Sequence, residues 1–328
     1  HIVNIEKLVY GGDGMGRLAD GKAVFVPFVL PGETVEVKVT DSRQRFARGA
    51  VITILDASSD RVSPRCKHFE QCGGCHYQMM PYPAQVAAKE SIVKDQFARI
   101  AGLEIDDILS VISAESPWQY RQTLELHIEG GKPGFLAANS HAMVAVEECH
   151  LCPGTFDDIR NMLDFDAESG IHTARVRWGD DDLMVVIDGD AEMMPEIEVD
   201  FPVSIVFTGG DEESGIVLAG DDYQTITVLD TPLVVSGTSF FQASAAMAGE
   251  MVISLLDHPH PSSGDVLLDL YCGIGLFSRF FGERGAVCIG VEASSSAVSN
   301  FAANLDHLDD VSIYEGLVED VLPGLDIH

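Results

Sequence analysis

No apolar run in this chain of 328 residues reaches the ~18 that a membrane span needs, and no charged start leads into an apolar core as in a secretory signal. The expectation is a cytoplasmic protein with no membrane partner. No period of roughly 20–50 residues repeats, and no low-complexity linker interrupts the chain, so solenoids and tethered arrays are excluded. The cysteines number 7, an odd count without a secretory signal, which weighs against a disulfide framework and towards metal or catalytic use. Positive charge is scarce, with 20 Lys and Arg against 52 Asp and Glu and a net charge of −32. That balance excludes a surface basic throughout. What is present in quantity is apolar: hydrophobic residues make up 46% of the chain, enough for two or three packed domains.

The charge is unevenly placed. Residues 1–100 hold 13 Lys and Arg against 11 Asp and Glu, whereas residues 101–328 hold 7 against 41, so only the first hundred suit a phosphate backbone. Residues 2–57 alternate strand-like runs with Gly and Pro turns (IEKLVY, GGDGMGR, KAVFVPFVL, PGE, TVEVKVT, ARGAVITIL), which predicts a small β-barrel. Arg43, Arg45 and Arg48 cluster between two of these strands with Phe46 among them, a set suited either to gripping a nucleic-acid backbone with one stacking ring or to an ordinary solvated face.

Further along, PAQVAAKESIVKDQFARIAG predicts a helix from Pro83 to Gly102 with Val86, Val93, Phe97 and Ile100 on its buried face and Lys89, Asp95 and Arg99 outside. From Trp118 to about Thr231 the pattern is β, with Leu124, Leu126 and Ile128 alternating with Glu125 and His127. His127 and His141 are read as polar residues on strand surfaces rather than as ligands. After a boundary near TPLVVSGTSFFQ, a helix over 243–256 ends before Pro259 and Pro261. The pattern then becomes strand VLLDLY, loop CGIG, helix LFSRFFGERG, strand AVCIGVE, helix SSAVSNFAANL and strand VSIY, a βαβαβ opening of a doubly wound parallel sheet.

In that unit DLYCGIG runs a strand straight into Gly273-x-Gly275, and Ser278 replaces the third glycine of the dinucleotide fingerprint. Asp269 at the strand end would repel a pyrophosphate but suit the ammonium and sulfonium of S-adenosylmethionine (SAM). Glu292, ending the next strand, is placed for ribose hydroxyls with either ligand. Cys272 and Cys288 read as packing thiols.

Two readings of the remaining cysteines stand. Cys72-x-x-Cys75 and Cys149-x-x-Cys152 would make a zinc site, although the 73 residues between the pairs far exceed the usual spacing. Alternatively Cys66, Cys72 and Cys75 with one distant cysteine, best Cys152 before Pro153, would hold an iron–sulfur cluster.

Taken together, Cys66-x5-CGGC-x2-Gln78, Cys152-Pro153, SFFQ at 239–242 and DLYCGIGLFS resemble the RNA uridine-C5 methyltransferases of the cluster-bearing type, across nearly the whole chain. The resemblance implies a multidomain α/β plus β fold: a TRAM domain, an OB-like RNA-binding barrel, over 1–60; a central α+β region with the cluster over 61–231; and a partial Rossmann-like SAM-methyltransferase domain over 232–328. It implies a 4Fe–4S cluster on Cys66, Cys72, Cys75 and Cys152. It implies SAM contacts at Gln242, Tyr271, Glu292 and Glu319 beside Gly273 and Gly275, and an RNA substrate, ribosomal or transfer, for which Arg43, Arg45 and Arg48 are the candidate contacts read from the residues above. The family's nucleophilic cysteine and general base would lie beyond His328, so the chain is expected to be a fragment, or completed by another chain, and inactive alone. Two rivals are a radical-SAM methylthiotransferase, disfavoured by the five residues between Cys66 and Cys72, and a non-catalytic iron–sulfur RNA-binding module.

Overall fold

Valines and isoleucines alternating with polar residues close the first five strands into a barrel, as the periodicity predicts. The computed structural model describes residues 1–105, 110–190, 192, 202–210, 215–257 and 262–325. The chain forms two units, His1–Pro117 with Phe135–Glu148, and Trp118–Gly134 with Cys149–His328.

In the first unit β1 (Ile2–Leu8), β2 (Gly14–Arg17), β3 (Ala23–Val26), β4 (Thr34–Ser42) and β5 (Phe46–Asp56) close in the order β1-β2-β3-β5-β4. Only β3 and β5 pair in parallel within it. Val3, Ile5, Val24, Val26, Val29, Val35, Val37 and Ala47 fill the interior. The chain that leaves the barrel is pinned by a buried ion pair. The Arg61 guanidinium donates from Nε to Glu33 Oε1 at 2.5 Å and from Nη2 to Oε2 at 2.9 Å, while the Leu30 and Ser58 N–H groups donate to the same carboxylate. Burial alone would raise the Glu33 carboxyl, but these hydrogen bonds outweigh it and hold the group below its ordinary value.

Helix α1 (Tyr82–Gln96) starts where Pro83 predicts and runs through a π-helical turn, Phe97–Ala101, to Gly102 in the left-handed region. Its buried face differs from the expected one. Ala84, Ala88 and Ile92 pack on Leu8, Leu30, Phe69, Met79 and Met80, whereas Val93, Phe97 and Ile100 are exposed. The alanine side allows close approach, and one turn further on Asp95 meets Lys7 of β1 in an ion pair, so this face rather than the bulkier stripe faces the barrel.

The second unit carries β6 (Thr123–Glu129), the start of β7 (Lys132–Leu136), α2 (Phe156–Met162), β9 (Ile171–Trp178), β10 (Leu183–Gly189), β11 (Ser204–Phe207) and β12 (Ile216–Ala219); the end of β7, Phe135 and Leu136, lies in the first unit and pairs there with β8 (Met143–Val144). The sheet order is β12-β11-β10-β9-β6-β7, with β10 and β11 parallel. A hairpin of β13 (Tyr223–Val228) and β14 (Thr231–Ser236) follows, then α3 (Ala245–Asp257). Pro259 and Pro261 lie outside the described residues. The predicted βαβαβ succession follows as β15 (Val266–Leu270), α4 (Leu276–Gly282), β16 (Val287–Glu292), α5 (Ser295–Leu305) and β17 (Val311–Glu315), a parallel sheet in that strand order, with α6 (Val318–Val321) after it. The hairpin, α3 and α4 share one core, in which Ile226, Leu233 and Val235 meet Phe241, Val252 and Phe280. Among the described residues β15 pairs only with β16. A cavity of about 500 Å³ runs along β15, lined by Val266–Asp269 with Leu255, Phe277 and Phe281. No described helix is long and apolar enough to cross a membrane.

Replacing Arg61 with Ala leaves a buried carboxylate unpaired, and the expected cost is about 3 kcal/mol in the urea unfolding of the first unit; a parent-like midpoint would refute the role given to this pair. Because the Glu33 carboxyl is depressed in the folded state, its stabilisation is complete above the unfolded value of about 4.3 and is lost as pH falls through the folded value. Glu33→Gln is therefore expected to flatten the acid limb of the stability profile.

Candidate functional site

Parallel pairing sets Val266 against Val287 and Leu270 against Val291, so β15 and β16 end side by side and bring Asp269 and Glu292 to the same edge of the sheet. Between β15 and α4 the chain turns through three left-handed residues, Tyr271 (φ 60°), Gly273 (φ 54°) and Gly275 (φ 85°). The two glycines differ in their surroundings. A Cβ on Gly275 would lie 2.6 Å from Leu305 and 2.7 Å from Phe301, whereas one on Gly273 would meet nothing within 4 Å. Gly275 thus lets α5 pack against the turn, and Gly273 leaves open space where a ligand can approach the backbone. Tyr271 has a β-carbon in the same conformation and an exposed ring.

Glu292 closes the turn. Its Oε2 accepts the Gly273 N–H at 2.9 Å, and its Oε1 accepts the Ala293 and Ser294 N–H groups at 2.8 and 2.9 Å. Its main-chain carbonyl accepts the Gly316 N–H at 2.8 Å, which draws in the segment leading to α6. Asp269 accepts from the Ser278 hydroxyl at 2.7 Å. Burial pushes the Asp269 carboxyl above its ordinary value, the charge of Glu292 adds to the rise, and Ser278 opposes it. Two acids at one edge of the sheet favour a cationic ligand. Ser278, noted in the sequence only for not being glycine, is the residue that orients Asp269.

The remaining expected cofactor residues sit on adjoining segments. Gln242 is half-buried in the loop between β14 and α3, and Glu319 is exposed in the first turn of α6. Cys272 and Cys288 are buried packing thiols, as expected. Burial, with Asp269 and Glu292, drives the Cys272 thiol far up, and burial with Asp269 pushes Cys288 up to about 11, so neither is a nucleophile at neutral pH.

Within the first unit the cysteine loop is fixed by main-chain bonds. Cys72 bridges Ala137, the Gly73 N–H donates to Leu136 O at 2.8 Å, and the Gln78 side chain accepts the Cys66 N–H at 3.0 Å. The Gly74 N–H points at Cys72 Sγ at 3.4 Å, the geometry of an amide that stabilises a thiolate. In the second unit a hydrogen bond with Cys152 holds the Cys149 thiol below its ordinary value against the effect of burial, and Cys152 is raised in turn. Among the described residues no group of three or more His, Cys, Asp or Glu is arranged to hold a metal ion.

On the barrel, Arg43 and Arg45 occupy the exposed turn between β4 and β5, and Arg48 lies on β5. Arg43 Nε donates to Asp41 at 2.8 Å and Arg48 Nη1 is 3.7 Å from Asp13. Phe46, expected to be a stacking ring, stands edge-on to Phe25 at 5.9 Å and is half-buried.

A model of the TRAM domain matches residues 2–52. The chain is similar to an uncharacterized RNA methyltransferase of Thermosynechococcus vestitus, 30% identical over 342 residues that cover 93% of this chain and 75% of that protein. A 23S rRNA (uracil(1939)-C(5))-methyltransferase of Shewanella piezotolerans is 28% identical, covering 95% of this chain and 75% of its own. Among solved structures, the Pyrococcus abyssi tRNA (uracil-54, C5)-methyltransferase in complex with S-adenosyl-L-homocysteine superposes with a TM-score of 0.71 at 19% identity, covering 95% of this chain and 79% of that one. The fold is therefore a TRAM barrel joined to a methyltransferase-like α/β sheet. The chain belongs to the RNA methyltransferase family.

Alanine substitutions should separate the two turn glycines. Gly275→Ala is expected to destabilise the second unit by about 2 kcal/mol, since strain and a clash with Phe301 and Leu305 combine. Gly273→Ala should cost only about 1 kcal/mol. Equal melting shifts for the two would contradict these surroundings.

Proposed function

We propose that this protein acts in SAM-dependent methylation of C5 of uridine in ribosomal or transfer RNA. The observation that carries the reading is the pair Asp269 and Glu292, the latter fixed by three backbone N–H groups beside an open glycine turn. A dinucleotide would bring its pyrophosphate against these acids, whereas SAM brings an ammonium and a sulfonium. In this reading Glu292 accepts a ribose hydroxyl at the lone pair that Oε2 keeps beside the Gly273 bond, Gly273 and Gly275 let the backbone approach, and Gln242, Tyr271 and Glu319 contact the rest of the cofactor. Bound SAM supplies the electrophilic methyl group. The names of the two uracil-C5 methyltransferases to which the chain is similar support uridine as the target. Arg43, Arg45 and Arg48 lie in the first hundred residues, whose charge balance permits an RNA backbone, and Arg43 and Arg48 would trade Asp41 and Asp13 for phosphates.

The same reading assigns Cys66, Cys72, Cys75 and Cys152 to a 4Fe–4S cluster. Four thiols, an amide aimed at Cys72 Sγ and the side chain of Gln78 bracing Cys66 suit such a group chemically. The cluster would serve a structural role and supply no electron, since moving a methyl group from a sulfonium to carbon needs none.

Calorimetry should show heat with SAM and none with NAD, and Glu292→Gln should weaken SAM binding about 10- to 100-fold, the equivalent of lost charged hydrogen bonds. Absence of SAM binding by the unaltered chain would refute the cofactor assignment. Protein purified without air is expected to be brown with broad absorption near roughly 400 nm; a colourless, zinc-loaded protein would instead favour the paired-CxxC site and make Cys149 a ligand.

A further inference from the structure

Arg177 is nearly sealed from solvent in β9, between β6 and β10, and belongs to no motif in the sequence. Its guanidinium donates from Nε to Gln224 Oε1 at 2.5 Å, from Nη1 to Ser239 O at 3.0 Å, and from Nη2 to Val235 O at 3.2 Å and Ser236 O at 2.7 Å. Three main-chain carbonyls at the end of β14 and the start of SFFQ thus converge on one buried cation. Burial pulls the guanidinium down to about 10, which leaves it charged at neutral pH. An Arg is suited to this task because its planar fork serves several acceptors at once, and a neutral side chain would strand the carbonyls.

The neighbouring ladder position holds the other side of the same loop. Gln122, whose carbonyl accepts the Trp178 N–H at 2.9 Å, donates its own N–H to Ala243 O at 2.7 Å, and its Oε1 accepts the Ala245 N–H at 2.6 Å where α3 begins. Residues 240–242 therefore span two anchors on one rigid sheet. From the Arg177 anchor a chain of contacts leads on. Ser239 Oγ is 3.0 Å from Ser296 Oγ, which is 3.2 Å from Ser294 Oγ, and the Ser294 N–H donates to Glu292 Oε1.

We infer that Arg177 is a positioning residue for the cofactor pocket, holding the Ser239–Gln242 segment and, through Ser296 and Ser294, the Glu292 carboxylate in register without touching the ligand. The inference rests on the proposal that this pocket takes SAM. A Lys at 177 keeps the charge but has a single nitrogen to offer the converging carbonyls and Gln224. Arg177→Lys is expected to weaken SAM binding about tenfold, measured by calorimetry at a temperature where circular dichroism shows full folding. Ser296→Ala, which cuts the serine relay and leaves the buried cation intact, should also weaken it. Ile159→Ala, a cavity in α2 of the same unit, should lower the melting temperature and leave SAM affinity unchanged. Amide exchange at Gly237 and Ser239 should quicken in Arg177→Lys, with or without SAM. Parent-like affinity in both Arg177→Lys and Ser296→Ala would overturn the inference. Failure of the unaltered protein to bind SAM would overturn the cofactor reading instead, and unchanged exchange at Gly237 and Ser239 would then overturn the clamp on its own.

Discussion

The carboxylate of Glu292 is the point around which the second unit is organised. It satisfies the N–H groups of Gly273, Ala293 and Ser294, which belong to two different strand-to-helix turns, and its carbonyl holds the turn after β17 through Gly316. Each of these turns would otherwise leave main-chain donors without partners. Because the three parallel strands end together, this fixed acid and the nearby Asp269, oriented by Ser278, stand at one edge of the sheet and make it acidic. The glycine turn then has only to stay out of the way, which Gly273 does by lacking a side chain on the open face.

The molecule divides its electrostatic work in the same spirit. The first hundred residues are nearly neutral and carry the barrel, whereas the remainder is strongly acidic and carries the paired acids that suit a cation. An RNA backbone and a sulfonium cofactor ask for opposite potentials, and one chain can serve both only if the two are kept on separate folded parts. The barrel's own arginines are tempered by acids: Asp41 beside Arg43 and Asp13 near Arg48 restrain the side chains in the absence of a stronger anion.

Much of the fold was legible where a pattern has one physical outcome. Alternating valines could only make half-buried strands, and the DLYCGIG run could only be a strand breaking into a helix through glycines. Helix α1 shows where the pattern fails. The stripe of Val93, Phe97 and Ile100 is the more apolar, yet the face with Ala84, Ala88 and Ile92 is the one that packs, because its small side chains let the helix approach Leu8 and Met79 and place Asp95 beside Lys7. Hydrophobic periodicity reports which faces can be buried, and the shape of the partner surface selects among them.

The candidate site divides along the same line. The residue types and their order along the chain specified the glycine turn, the acids at two strand ends and the cysteine spacing, since each follows from local chemistry read over a few neighbours. Arg177, Gln122 and Ser296 carried no such signal. An arginine in a strand is unremarkable until the carbonyls of residues 235, 236 and 239, more than fifty positions away, are brought onto its guanidinium. Glu33 and Arg61 likewise become a pair only when the barrel closes. The sequence by itself determined which elements form and which chemistry they carry; only the tertiary structure decided which polar groups are buried together, because burial and partnership are properties of distance in space and not of separation along the chain.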